Sequence, residues 1–269
     1  MGLFVFHHCL FNDARFLKIW WSKRGVRALA PPQIELVIMR DIYPNNNRSK
    51  ILCAAKNHLL LFTQKDMAEW LTGSRKRVKA VEKLLPQLVV KKKLKAVRYG
   101  RKLVYRLNHP RLQNGITHLE HDLMCTKLII LFGAQEIGEI VSELFFLEQK
   151  EQFCCVPDWA VLFPNMVMLC EYSTSDNFRR THLMRKKLKA YRKHLFRFID
   201  YFDNDVSVLF ILDAPRHKVN QFALDNAVPN DRFAYFTDLA SVLQAPKSEL
   251  LTTPLFIWGG DGQEKSLTS

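Results

Sequence analysis

Glycine and proline are scarce in this chain, 10 and 11 of 269 residues, which excludes a collagen-like polymer and argues against a wholly disordered chain. No apolar run reaches the length needed to cross a bilayer, so no membrane insertion is expected. The six cysteines (Cys9, Cys53, Cys125, Cys154, Cys155 and Cys170) form no C-x-x-C pair, and no histidine cluster with zinc spacing accompanies them. They read as reduced, mostly buried thiols of a cytosolic protein. A glycine-rich phosphate loop is also missing, which argues against a nucleotide sensor. The start is apolar but lacks a basic region and a small-residue cleavage site, and Phe6 stands where a myristoylation signal has Ser or Thr.

Acidic residues are missing from two stretches in particular. Residues 74–106 hold 13 Lys/Arg and one acid, Glu82; residues 178–197 hold nine Lys/Arg and none. Of the formal charge of +14 these stretches carry +12 and +9, leaving the remainder, with 18 basic and 25 acidic residues, at −7. Two basic surfaces on an otherwise acidic chain are the pattern of two contacts with a phosphate backbone. The plain alternative is a pair of solvated helix faces.

Local signals divide the chain into an extension (1–30), a first domain (31–112), a second domain (113–262) and a tail (263–269). Ile34 to Ile42 read as a first helix, and 51–62 as either a short helix or a strand. Thr63 is an N-cap candidate for a helix to Leu71. Thr72-Gly73-Ser74 then makes a tight turn, with Ser74 capping a second helix whose apolar positions are Val78, Val81, Leu84 and Leu85. Arg75, Lys76, Arg77 and Lys79 surround its start. Lys91, Lys92 and Lys93 lead into a hairpin whose tip carries Arg98, Arg101 and Lys102. Helix, turn, basic helix, basic hairpin is the order of a winged helix-turn-helix. In such a domain Arg75 and Arg77 come within reach of base edges in double-stranded DNA, and the hairpin rides on the phosphates. A winged helix used only for protein contacts is the alternative.

The second domain alternates helices and strands, an α+β or α/β organisation around a mixed sheet. A helix over 117–132, a strand around Leu144–Glu148, strands at 156–163 and 167–173, and a long amphipathic helix over 178–200 follow in order. A buried strand at Val206–Leu212, a helix at 217–226, a strand at 233–236 and a helix at 239–243 complete it. Asp158 opens one strand and Glu171 ends the next, thirteen positions on. Two carboxylates so placed can converge on one Mg²⁺ or Mn²⁺ that activates water for phosphodiester cleavage. Acids that merely terminate surface strands are the alternative.

The acids Asp158 and Glu171, with His121-Asp122, Tyr172-Ser173-Thr174 and Lys187-Leu188-Lys189, resemble the PD-(D/E)XK nuclease core. With the winged helix in front, residues 33–260 resemble the replication-relaxation family of plasmid mobilisation proteins and the MOB-C class of relaxases. That resemblance implies a bacterial cytoplasmic enzyme that nicks DNA at a plasmid transfer origin alongside other mobilisation (relaxosome) proteins. It carries over Asp158 and Glu171 as metal ligands. It also assigns Glu120 or His121 as a further acid or base from the first helix, with Glu143 and Glu148 as competitors for that role. Ser173 departs from the pattern, which has Lys there; Lys187 on the following helix is the substitute, or else one more phosphate contact beside Arg179, Arg180 and Lys186. The chain has no His-hydrophobic-His triplet, and Tyr191 lies on an apolar stripe, which disfavours a covalent phosphotyrosine. A non-catalytic DNA-binding accessory protein with a decayed nuclease fold, or a transcriptional regulator, is the alternative function.

Overall fold

The computed structural model describes residues 46–59, 61–109, 118–134, 138–228, 233–246, 249–258 and 263–265. The expected helix at 34–42 and the extension before it lie outside these residues. The described chain is α+β, with a three-stranded sheet and a mixed seven-stranded sheet.

The undecided stretch after residue 46 holds both elements. Helix α1 (Asn47–Asn57) starts at Asn46, whose side chain accepts from the Ser49 amide, and strand β1 (Leu61–Thr63) follows it. Thr63 then caps α2 (Gln64–Thr72) through a reciprocal box with Asp66. Gly73 closes α2 at φ 68°, a left-handed conformation that a side chain would strain.

The second helix of this unit differs from expectation. It does not begin at Ser74: residues 75–78 form a turn, α3 is one turn long (Lys79–Glu82), and α4 (Leu84–Val90) restarts beyond Lys83. Pro86 supplies the reason. It has no N–H to give the carbonyl of Glu82, so the ladder stops there, whereas in the first turn of a new helix the missing donor is harmless. Strands β2 (Leu94–Tyr99) and β3 (Lys102–Leu107) pair through a two-residue turn at Gly100-Arg101, and β1 pairs with the other side of β3.

Helix α5 (Leu119–Gly133) precedes β4 (Glu139–Ser142), α6 (Glu143–Glu148), β5 (Trp159–Leu162) and β6 (Met166–Ser173). The strand expected at 144–148 is therefore helical. Its apolar run serves an aromatic cluster instead: Phe146 meets Phe153 at 5.5 Å and Phe198 at 6.2 Å. Short helix α7 (Ser175–Arg179) is separated by Arg180 from the long α8 (Thr181–Phe202), which crosses over to β7 (Asp205–Leu212). Helix α9 (Arg216–Asp225), β8 (Ala234–Asp238), α10 (Leu239–Gln244), β9 (Phe256–Trp258) and β10 (Glu264–Lys265) complete the described chain.

The large sheet runs β10-β9-β8-β7-β6-β5-β4, with β6, β7 and β8 parallel and the other neighbours antiparallel. Alternate residues of its centre enter two cores. Met168, Cys170, Tyr172, Leu209 and Ile211 face α5 and α10; Val167, Leu169, Val208, Phe210 and Leu212 face α8 and α9. The first core also takes in Ile51, Phe62, Met67, Leu85 and Tyr105, so the small sheet with its helices and the large sheet share buried contacts. The seam is tight: a Cβ on Gly133 would sit 2.9 Å from the Trp70 ring. Across it Thr126 donates to the Leu61 carbonyl, and Ser142 to that of Lys56 at 3.2 Å.

At the end of β8, buried Asp238 caps α10 by accepting from the Ser241 amide (2.8 Å) and hydroxyl (2.6 Å), and it pairs with Arg216 at 3.1 Å. Burial raises the Asp238 pKa, but Ser241 and Arg216 outweigh it and hold it below the usual aspartate value of 3.8. Asp238→Ala is expected to lower stability in urea by about 2 kcal/mol, from the lost cap and the lost ion pair to Arg216. Because the folded pKa is depressed, this contribution is full above pH 3.8 and fades as the pH falls below it, so wild type and variant converge in acid.

Candidate active site

Four elements meet where β5 begins. Asp158 stands one residue before β5; its amide donates to Cys170 O (3.0 Å), and its Oδ2 accepts from the Tyr172 amide (2.7 Å). That pair pins the carboxylate to the edge of β6. Helix α5 brings His121, whose Nε2 lies 3.4 Å from Asp158 Oδ2 and 3.1 Å from the Tyr172 carbonyl, with Nδ1 at 3.2 Å from Asp122 Oδ1. Four residues on, Cys125 sits on the same helical face. From the first residue of α6, Glu143 lines the same small cavity as His121, Cys125 and Asp158.

Glu171 lies on the other face of β6, only 1% exposed. Its Oε1 accepts from the Tyr191 hydroxyl (2.5 Å), and its Oε2 is ion-paired with the Lys187 ammonium from α8. Tyr191 is thus a core residue, as its apolar stripe predicts, and also a hydrogen-bond donor to this carboxylate. Ser173, two residues along the strand, is buried, and its hydroxyl has no hydrogen-bond partner.

Charge separates these carboxylates. Burial raises the Asp158 pKa, yet Lys187, His121 and the Tyr172 amide outweigh it and hold it down at about 2. Burial pushes Glu143 up to about 7, with Asp158 and Asp122 adding to the push. Burial also raises Glu171, with Lys187 and Tyr191 pulling the other way. Burial lowers His121, but Asp122 and Asp158 outweigh it, so the ring holds its proton; Lys187 stays cationic beside Glu171 and Asp158. One fixed anion with two cations beside it is a polarised site, and such clusters of shifted groups mark functional-site candidates.

Of the residues singled out from sequence, Asp158, His121, Glu171 and Lys187 come together here. Glu120 does not: it points out and accepts from the Tyr99 hydroxyl at the hairpin tip (2.7 Å). Glu148 also lies away, near His109 at 3.3 Å. Against the Mg²⁺ or Mn²⁺ of the sequence reading, Asp158 and Glu143 fit as oxygen donors, whereas Glu171 has both oxygens engaged by Lys187 and Tyr191. Sequence reasoning passed over Cys125; it names Asp122 only within the His121-Asp122 motif and Glu143 only as a competitor for the additional acid or base. The spacing His121-x-x-x-Cys125 was a readable signal; their convergence with Asp158, 33 residues on, was not.

The basic residues divide as well. Arg75 is clamped across α2 to Asp66 (2.6 Å) and Glu69 (2.7 Å), and Ser74 Oγ accepts from the Lys76 amide (3.3 Å). Lys76, Arg77, Lys79, Lys91, Lys92, Lys93, Arg98, Arg101 and Lys102 are exposed. On α7 and α8, Arg180 and Lys186 are exposed, and Arg179 stands 3.7 Å from exposed Asp176. Arg75→Ala is therefore expected to lower stability by about 1–2 kcal/mol, since Asp66 is buried. Lys102→Ala should leave stability unchanged and, if the hairpin grips phosphate, reduce the log–log salt slope of DNA binding by about 1.

Compared with protein-family models, curated proteins and solved structures, the chain matches none.

Proposed function

We propose that this protein binds double-stranded DNA and nicks it by metal-dependent hydrolysis, in the manner its resemblance to the replication-relaxation family and MOB-C relaxases implies. The convergence of Asp158, Glu171 and Lys187 on one end of a mixed sheet carries this reading. The order α5-β4-α6-β5-β6-α7-α8-β7, three antiparallel strands and a parallel fourth reached through helices, supports the PD-(D/E)XK reading. Helix α1, β1, α2, the broken α3/α4 and the β2–β3 hairpin, with sheet order β1-β3-β2, support the winged-helix reading.

The roles follow from charge and position. A divalent cation, Mg²⁺ or Mn²⁺ on the sequence reading, would be held by Asp158 with Glu143 and would supply positive charge and an acidified water. Asp158 stays ionised throughout the working pH range. Lys187 substitutes for the lysine that Ser173 replaces; Glu171, itself held by the Tyr191 hydroxyl, fixes its ammonium, ready to meet a phosphoryl oxygen. While no metal is bound through its Nε2, His121 presents a second cation on the opposite side of Asp158. Duplex DNA would lie over the exposed lysines and arginines of the turn, the hairpin and α8. The Tyr99–Glu120 contact sets the hairpin tip one residue from His121, so a duplex gripped by the wing passes close to the site. Other mobilisation proteins at a plasmid transfer origin are the expected partners, in a bacterial cytoplasm.

A second reading, a non-catalytic DNA-binding accessory protein or regulator, is favoured by one observation: both Glu171 oxygens are already taken. A single assay separates them. The full chain, incubated with supercoiled plasmid bearing a transfer origin and Mg²⁺, Mn²⁺ or Zn²⁺, should yield open circles, and chelation should stop the reaction. Tight DNA binding with no open circles under any of the three ions selects the accessory reading.

A further inference from the structure

We propose that His121, Cys125 and Asp158 form a binding site for a single transition-metal ion of the Zn²⁺ class, completed by Glu143. One donor atom from each of the first three residues lies within 4.8 Å of the others. A tetrahedral ion with bonds of about 2.1 Å sets its ligands about 3.5 Å apart, so modest side-chain movement closes the set. The cavity they line measures about 10 Å³, room for one water-sized occupant.

Each donor is supported from behind. Helical spacing of four places His121 and Cys125 on one face of α5. Asp122 accepts at His121 Nδ1 (3.2 Å), the carboxylate–histidine pairing that orients a ring for ligation through Nε2. The Tyr172 amide holds Asp158 Oδ2 at 2.7 Å. Glu143 reaches the cavity from α6, so the donors come from three separate parts of the chain. Hydrogen bonding alone accounts poorly for the thiol, which lies 3.7 and 3.9 Å from the two ring nitrogens, the outer reach of a sulfur contact.

The donor chemistry selects the ion. Sulfur and imidazole nitrogen favour Zn²⁺ and its neighbours over Mg²⁺, which prefers oxygen. Ligation replaces the Cys125 S–H bond by a metal–sulfur bond and frees His121 Nε2, and both protons leave to solvent. The inference shares Asp158 with the proposed nuclease site and names the ion of that site, but it concerns binding and not cleavage.

Co²⁺ is the probe, since a thiolate–cobalt bond gives a near-ultraviolet charge-transfer band that oxygen and nitrogen ligands do not. Metal-free full-length protein titrated with Co²⁺ should develop this band and saturate at one equivalent. Zn²⁺ should bleach it and an equal concentration of Mg²⁺ should not. Cys125→Ser should abolish the band, Cys154→Ser at an exposed position should retain it, and Asp122→Asn should weaken Co²⁺ binding about tenfold. Absence of the band in wild type, displacement by equimolar Mg²⁺, or a band lost in Cys154→Ser and kept in Cys125→Ser overturns the proposal. The wild-type spectrum reports sulfur ligation by itself, so a variant that does not fold leaves the test standing. Protein that binds Co²⁺ as described but never nicks DNA refutes the nuclease reading alone. Protein that nicks with Mg²⁺ and shows no band refutes this inference alone.

Discussion

Asp158→Asn is expected to slow nicking of supercoiled plasmid at least about a hundredfold while leaving duplex affinity within about twofold of wild type. The substitution keeps the shape of the side chain and an oxygen for the Tyr172 amide, so the edge of β6 stays in place. It removes the carboxylate charge that stays ionised at the centre of the site. Lys187 and His121 then stand as neighbouring cations without the anion between them, and a divalent ion loses its first oxygen ligand. Removing a single preorganised electrostatic group from an active site costs about 10²–10³ in rate. Duplex affinity should hold because the exposed basic residues of the turn, the hairpin and α8 lie on other elements. Open circles forming at the wild-type rate would mean that Asp158 takes no part in the chemistry.

Lys187→Met is expected to cost about 3 kcal/mol of folding free energy, the larger half of an asymmetric pair. Glu171 is 1% exposed and Lys187 side-chain exposure is 38%, so the two partners lose unequal amounts when separated. Without lysine, Glu171 is left buried with the Tyr191 hydroxyl as its remaining donor, and an unpaired buried charge destabilises by about 3–5 kcal/mol. Glu171→Gln, by contrast, leaves an ammonium that reaches water, and a loss of about 1 kcal/mol is expected. The pH dependence distinguishes these cases. Burial holds the folded Glu171 carboxyl up at about 8 even beside Lys187, and Lys187→Met, which removes the charge pulling it down, raises it further, so the folded variant keeps the extra proton to higher pH. The variant then runs parallel to wild type below about pH 8 and falls away as the pH rises beyond it, where the wild-type carboxyl ionises beside Lys187 and the variant's must ionise without it. Urea denaturation at several pH values checks both the magnitude and the sign, and equal losses for the two variants would show that the pair is solvated.

Much of the local structure was legible from the chain. The Thr63 cap, the Gly73 stop and the alternation on both sides of Gly100 mark α2 and the hairpin because caps and tight turns depend on neighbouring residues. The continuous apolar run of β7 marks a strand buried on both faces, which a parallel position between β6 and β8 requires. Two elements differ from their pattern, one through packing and one through a proline. The run from Glu143 to Glu148 is apolar enough for a strand, yet it closes an aromatic cluster as a helix. The basic helix expected after Ser74, with Val78, Val81, Leu84 and Leu85 on one stripe, is instead divided at Lys83, because Pro86 has no donor for the Glu82 carbonyl.

At the site, the sequence by itself determined the chemical types: an acid before one strand, an acid on the next, and a basic amphipathic helix after them. It also determined that charge is concentrated in two places, since composition along a chain needs no coordinates. Only the tertiary structure decided the partnerships. Arg75, which the turn offers to DNA, belongs to Asp66 and Glu69 because α2 passes beneath it. Glu120 and His121 are adjacent in sequence, yet a helix turns by about 100° per residue, sending one to the hairpin tip and the other to Asp158. Pairing depends on which faces the fold brings within a few ångströms, and residues 33 or more apart carry no local trace of that.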